Sequence, residues 1–214
     1  GLPFSDPMAD GPVIALAAER ALAGGTNTLN ALDMVKAFRE QDQTTPVVLM
    51  GYLNPVEVIG YEKFVAYAKD CGVDGVLLVD LPPEASQQLG EVLKQNGMDQ
   101  IFLLAPTSTD QRIQHVVNQA SGFVYYVSLK GVTGAATLDT AEAAARIAKI
   151  KSKTSVPVGV GFGISDAASA KAMGQVADAV IVGSAFVKSF ATLPVDEAVQ
   201  QTVNKVKELR AALD

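Results

Sequence analysis

Tryptophan is absent from the 214 residues, histidine and cysteine occur once each, and no apolar run is long enough to cross a membrane. Each scarcity removes a class of function. The single Cys71, in KDCGVDG, has no partner for a disulfide or for a thiolate metal site, so it reads as a small packing group at a helix end. The single His115, in DQRIQHVVNQA, stands among polar residues at helical spacing, which predicts an exposed helix face rather than a catalytic imidazole. Proton transfer therefore falls to carboxylates, lysine or tyrosine. With no stretch of roughly 18 apolar residues and no visible secretory signal, the expected compartment is the cytoplasm. Seventeen basic residues against twenty-three acidic ones leave a net charge of −6 with no basic run, so nucleic acid and anionic membranes are poor partners. A phosphate group bound here would have to rely on backbone dipoles.

What is present is an ordinary globular composition, 49% hydrophobic and 19% charged with no low-complexity tract, and the expectation is a single domain over residues 1–214. Six short apolar runs bounded by Gly, Pro or Asp predict strands: PVVLMGY (46–52), DGVLLVD (74–80), IFLLAP (101–106), GFVYYVSL (122–129), VPVGVGFG (156–163) and AVIVGSA (179–185). Segments of helical period precede and separate them, at 11–24, 28–40, 55–72, 82–97, 110–120, 139–152 and 166–176. Near-continuous apolar strands alternating with amphipathic helices predict a parallel sheet covered by helices.

The last two runs end in Gly161, Gly163 and Gly183, small residues that leave backbone N–H groups accessible. In a (β/α)8 barrel a phosphate is held by the loops after strands seven and eight. Counting back from that cradle makes 46–52 the third strand, so the expected fold is α/β, a (β/α)8 TIM barrel of which the chain carries strands three to eight. An open six-stranded sheet is the alternative, and it would leave two apolar edges exposed. At the other end of the chain, GLPFSDPMADGPV leads into a helix, with Asp10 read as its N-cap and Pro12 in its first turn. A carboxylate so placed is held ionised by N–H donors and the helix dipole.

GLPFSDPMADGP resembles a loop signature of the tryptophan synthase α subunit family. The likeness continues in family order through MGYLNPV (50–56), LLVDLPPEAS (77–86), YYVSLKGVTGA (125–135), GVGFGIS (159–165) and VGSAFVK (182–188). It implies retro-aldol cleavage of indole-3-glycerol phosphate to indole and glyceraldehyde 3-phosphate. In the family a Glu moves the protons and an Asp accepts from the indole N–H. Asp10 matches that Asp, whereas the Glu falls upstream of Gly1, so the 214 residues alone are expected to cleave slowly. The resemblance carries substrate contacts to Met50, Tyr52, Leu103, Tyr125, Thr133, Gly134, Gly161, Phe162, Gly163, Ile181, Gly183 and Ser184, with Asp80 in support. From the residues alone, the apolar members of that set are equally well explained as barrel core.

The resemblance also implies a pyridoxal-phosphate-dependent β subunit as partner in an α2β2 assembly, with no cofactor or metal in this chain. The loops at 3–12, 52–56 and 82–84 would form the interface. Residues 129–139, with Gly131 and Gly134 as hinges, are long for a strand-to-helix connection and suit a lid. Two further readings stay open. Lys130 could serve a Schiff-base aldolase acting on a phosphorylated sugar, and the chain could act chiefly as an allosteric partner of β.

Overall fold

The computed structural model describes residues 1–128, 140–161 and 163–214. It comprises two compact units, Gly1–Phe102 with Asn118–Gly122, and Leu103–Val117 with Phe123–Asp214. The first unit runs α1 (Pro12–Ala23), α2 (Thr28–Arg39), β1 (Val48–Gly51), α3 (Leu53–Ile59), α4 (Tyr61–Asp70), β2 (Gly75–Leu78), α5 (Gln87–Gln95) and β3 (Asp99–Gln100). β1, β2 and β3 lie parallel in that order, with Val48 opposite Gly75 and Gly75 opposite Asp99. All four residues of β2 are buried, which is why its sequence is continuously apolar rather than alternating. Helical spacing places Leu32 and Val35 of α2, Phe64, Val65 and Ala68 of α4, and Leu89 and Leu93 of α5 in one core with Leu49, Val76 and Leu78. A fully buried phenylalanine such as Phe64 contributes about 1.5–3 kcal/mol of transfer free energy.

The remaining elements are β4 (Phe102–Leu104), α6 (Asp110–Gln119), β5 (Val124–Val127), α7 (Thr140–Lys151), β6 (Val158–Gly161), α8 (Ala167–Gly174), β7 (Ala179–Ile181), α9 (Ser184–Val187) and α10 (Val195–Leu213). Strands β4 to β7 form a second sheet in sequence order, and Val124 pairs in parallel with Val158 and Gly159 with Ala179.

All six expected strands are present, with three departures in the pattern around them. The run at 101–106 carries β4 alone, and a separate two-residue strand, β3, precedes it, because the ladder to β2 ends at Gln100 and the second sheet starts at Phe102. The helix expected over 55–72 is broken at Gly60, whose φ of +89° is a left-handed conformation that continues no α-helix. Finally, α10, 19 residues long, has no counterpart among the expected helices, because the βα count stops at the last strand.

One device recurs in both units. Asp74, just before β2, accepts the Val47 N–H at 2.7 Å and the Arg39 guanidinium at 2.7 Å. Asp178, just before β7, accepts the Val158 N–H at 2.9 Å and the Lys151 ammonium at 2.6 Å. Each aspartate thus ties the start of the preceding strand to the last residue of the helix ahead of it. Lys151 and then the Val158 amide hold the Asp178 carboxyl below its ordinary value. A carboxyl depressed on folding stabilises above its unfolded-state pKa, and that contribution fades as pH falls through the folded value. Asp178→Ala is expected to cost about 1 kcal/mol in urea unfolding at neutral pH. The deficit should shrink as pH falls below the ordinary aspartate range, and an equal deficit at all pH values would exclude this origin.

Candidate active site

Asp10 sits on the loop that precedes α1, and the loop is anchored to β1 rather than to the helix. The Leu2 amide donates to the Met50 carbonyl at 2.8 Å, and Leu2 packs where Gly51 has no side chain: a Cβ there would lie 2.9 Å from the Leu2 Cβ. Phe4 lies against the Tyr52 ring, centroids 5.5 Å apart and planes inclined by 32°. The Tyr52 hydroxyl accepts the Ala9 N–H, from the residue just before Asp10, at 3.0 Å. Tyr52 directly follows β1, so the loop beside Asp10 is tethered at the C-terminal end of that strand.

This geometry corrects the reading of Asp10 as a helix cap. Gly11 is the N-cap of α1, Pro12 opens the helix, and no side chain caps it. The electrostatics reverse accordingly. Burial pushes the Asp10 carboxyl above its ordinary value, and the Tyr52 hydrogen bond opposes that shift. Burial is also the main cause of the raised Tyr52 phenol, with the Asp10 and Asp80 charges adding to it. Asp80, past the end of β2, accepts the Leu53 N–H at 2.7 Å and so fixes the first turn of α3. That places 53–56 in a helix rather than in the loop expected over 52–56, while 83–85 form a single 3-10 turn.

Strand geometry separates the expected contact residues from the core. Met50 is half-buried between the buried Leu49 and Gly51, Leu103 between Phe102 and Leu104, and Tyr125 between Val124 and Tyr126. Successive side chains point to opposite faces, so each of these three stands on the more accessible face of its own strand. In the second unit the Tyr125 ring covers Gly161. A Cβ on Gly161 would come within 2.6 Å of Tyr125 Cε2 and 2.7 Å of Cζ. Gly161 pairs with the half-buried Ile181. Its carbonyl accepts the Ser128 N–H at 3.0 Å and the Ser128 hydroxyl at 3.2 Å. Gly161 is thus a close-packing glycine. Gly163, by contrast, is exposed, with φ +73° and nothing near its missing side chain. Gly183 and Ser184 are exposed at the turn from β7 into α9, where the Gly183 carbonyl accepts the Phe186 N–H at 3.0 Å.

Thr133, Gly134, Phe162, Lys130 and the lid expected over 129–139 lie outside the described residues. His115 is half-buried on α6 rather than exposed, and it has an interaction partner. Cys71 is a buried free thiol at the end of α4, raised by burial. Among the described residues no three His, Cys, Asp or Glu side chains are grouped as metal ligands, and no helix is long and apolar enough to cross a membrane. Leu2, Phe4 and Ser128 are contributors that the motifs did not single out. The signal available was weak: an apolar pair at the head of the loop and a polar residue ending a strand.

The family model described as "Tryptophan synthase alpha chain" matches residues 1–214. The chain belongs to the tryptophan synthase alpha chain family. A relative with that name from Acinetobacter baumannii is 87% identical over all 214 residues, which cover 80% of that protein. The corresponding protein of Acinetobacter baylyi is 85% identical over the same span. Among solved structures, tryptophan synthase subunit alpha from Legionella pneumophila aligns over the whole chain and 80% of its own length, with a TM-score of 0.90 at 39% identity. A tryptophan synthase complex from Pyrococcus furiosus aligns over 98% of the chain and 84% of its own, with a TM-score of 0.86 at 37% identity. As a tryptophan synthase alpha chain this is a lyase of tryptophan biosynthesis, and its parallel βα repeats are those of the (β/α)8 class.

Proposed function

We propose that this tryptophan synthase alpha chain cleaves indole-3-glycerol phosphate to indole and glyceraldehyde 3-phosphate. The bond that breaks joins indole C3 to the hydroxyl-bearing carbon of the glycerol chain. Protonation at C3 makes the ring a cationic leaving group, and loss of the hydroxyl proton lets the adjacent carbon become the aldehyde. The positive charge that reaches the indole nitrogen is the one Asp10 stabilises, by accepting its N–H as a carboxylate. In the family a Glu moves the protons. Backbone N–H groups around Gly134, Gly163 and Gly183, with the Ser184 hydroxyl, take the phosphate. Met50, Leu103, Tyr125, Phe162 and Ile181 are the residues assigned to the indole, with Thr133 as a further substrate contact.

The observation that carries this reading is Asp10 on a loop that Tyr52 holds, through the Ala9 N–H, at the C-terminal end of β1 in a chain of this family. Barrel enzymes place their chemistry at that end of the strands. The same reading makes residues 1–214 part of a single barrel domain. Indole passes to a β subunit that carries the pyridoxal phosphate, in a cytoplasmic α2β2 assembly, with 3–12, 52–56 and 82–84 at the interface.

Incubation of the full-length protein with indole-3-glycerol phosphate is expected to release indole, with glycerol phosphate as a competitive inhibitor. Because these 214 residues contribute no tryptophan emission, indole fluorescence can be followed against a low background. Absence of indole release, with or without a β chain, would refute the proposal. Borohydride-trapped substrate on Lys130 would replace it with the Schiff-base aldolase.

A further inference from the structure

Strand β6 ends in Gly161, and Gly163 follows on the way to α8. Each glycine brings backbone freedom that a side chain would restrict. At Gly161 no side chain can do so, because the Tyr125 ring fills the place a Cβ would occupy. Order at this strand end therefore has to come from hydrogen bonds. The Gly161 carbonyl accepts two, both from Ser128, which directly follows β5: the N–H at 3.0 Å and the hydroxyl at 3.2 Å. A carbonyl oxygen has two lone pairs, so both bonds can be made at once. The first continues the β5–β6 ladder past its last pair, Val127 with Gly161, and the second reinforces it where the ladder stops. The downstream side is fastened locally. Ile164 is buried, and the Asp166 carboxylate caps α8 by accepting the Ser169 N–H at 2.8 Å, while the Ser169 hydroxyl accepts the Asp166 N–H at 3.3 Å. Gly163, exposed at φ +73°, lies between the two fastenings.

We propose that Ser128 is a positioning residue for the phosphate cradle, its hydroxyl holding the Gly161 carbonyl so that the end of β6 presents the Gly163 N–H to the substrate phosphate without further ordering. The inference deepens the assignment of Gly163 above and rests on it. A binding segment that must be ordered by its ligand loses affinity to that ordering, and one fastened beforehand does not. Backbone N–H groups are the case where this matters most, since they cannot swing to meet an anion as a lysine side chain can. The consequence falls on binding rather than on the chemical step. The phosphate is unchanged while a bond elsewhere in the substrate breaks, so a looser cradle weakens ground state and transition state alike.

Ser128→Ala removes the hydroxyl and leaves the N–H. On the full-length protein it is expected to weaken competitive inhibition by glycerol phosphate roughly threefold to tenfold, the scale of one neutral hydrogen bond, and to raise KM by the same factor. The kcat, followed as glyceraldehyde 3-phosphate release, should stay within about twofold of wild type. Inhibition by added indole, which has no phosphate, should not change. Ser128→Thr keeps a hydroxyl and should restore glycerol phosphate binding. Unaltered inhibition by glycerol phosphate in Ser128→Ala overturns the proposal. So does an equal weakening for glycerol phosphate and indole, the behaviour of a residue that serves the whole fold, and so does a threonine variant that binds as weakly as the alanine one. If Ser128→Ala does not fold at assay temperature, Ser128→Cys, similar in size and a poor donor, decides by the same two inhibitors. Failure of the underlying assignment is distinct: the wild-type protein would then show no inhibition by glycerol phosphate at all, and the proposal would fall with it.

Discussion

Replacing Asp10 by asparagine is expected to lower indole release on the order of a hundredfold while leaving the fold intact. The size follows from the role. An amide oxygen still accepts a hydrogen bond from the indole N–H, but it carries no net charge to oppose the one forming on the ring, and preorganised charge in a partly desolvated site is where such losses are largest. The stability side follows from burial. The Asp10 carboxyl is raised above its ordinary value chiefly because burial penalises its charge, so holding it ionised at neutral pH costs folding free energy. Asparagine removes that cost, so the urea midpoint should be unchanged or slightly higher. Activity and stability therefore move in opposite senses, the pattern of a functional carboxylate rather than a structural one. The pH dependence has a definite sign as well. Activity requires the anion, so it should fall with acidification at a higher pH than an exposed aspartate would give. A variant with wild-type indole release, or one that loses activity only in proportion to lost folded protein, would remove Asp10 from the reaction.

Asp10 also marks where reading from sequence meets its limit. Asp-Gly-Pro ahead of an apolar helix is a local pattern that fits an N-cap, and the local rule placed the carboxylate on the helix. What anchors its loop is Tyr52, which accepts the Ala9 N–H, far along the chain and brought beside the loop only when β1 forms. No local pattern encodes that contact. The strands were legible for the converse reason: a parallel strand covered on both faces, such as the wholly buried β2, must be apolar at every position, and a run of that kind stands out. Gly60 was missed as a break because a lone glycine inside a helical pattern is tolerated in many helices, and only its positive φ shows that this one ends one helix and starts another. The expected contact residues come from the family motifs and are ambiguous by physics. Met50, Leu103 and Tyr125 are the apolar or aromatic residues any strand interior would carry, and only their partial burial beside fully buried neighbours separates them from the core.

Gly161 illustrates how packing and binding can be pulled apart by experiment, and its substitution by alanine is expected to have the second large effect. A methyl group there would sit within 2.6 Å of one Tyr125 ring atom and 2.7 Å of another. The obstacle is not a floppy chain end, because Tyr125 lies in β5, paired in register with Gly159 of β6, two residues before Gly161. Either the ring swings off its strand face or β6 shifts, and overpacking of this kind costs about 1–3 kcal/mol. If Tyr125 lines the indole pocket, moving its ring also alters the surface that the substrate meets, so KM should rise tenfold or more, on the order of the 1–3 kcal/mol at stake. The two effects separate in the double variant Gly161→Ala with Tyr125→Val. Removing the ring makes room for the methyl group, so stability should recover toward that of Tyr125→Val alone. Substrate affinity should not recover, since the aromatic wall is then missing altogether. Recovery of both would mean that Tyr125 is a core residue with no share in binding, and recovery of neither would mean that Gly161 matters for its backbone rather than for the space beside it.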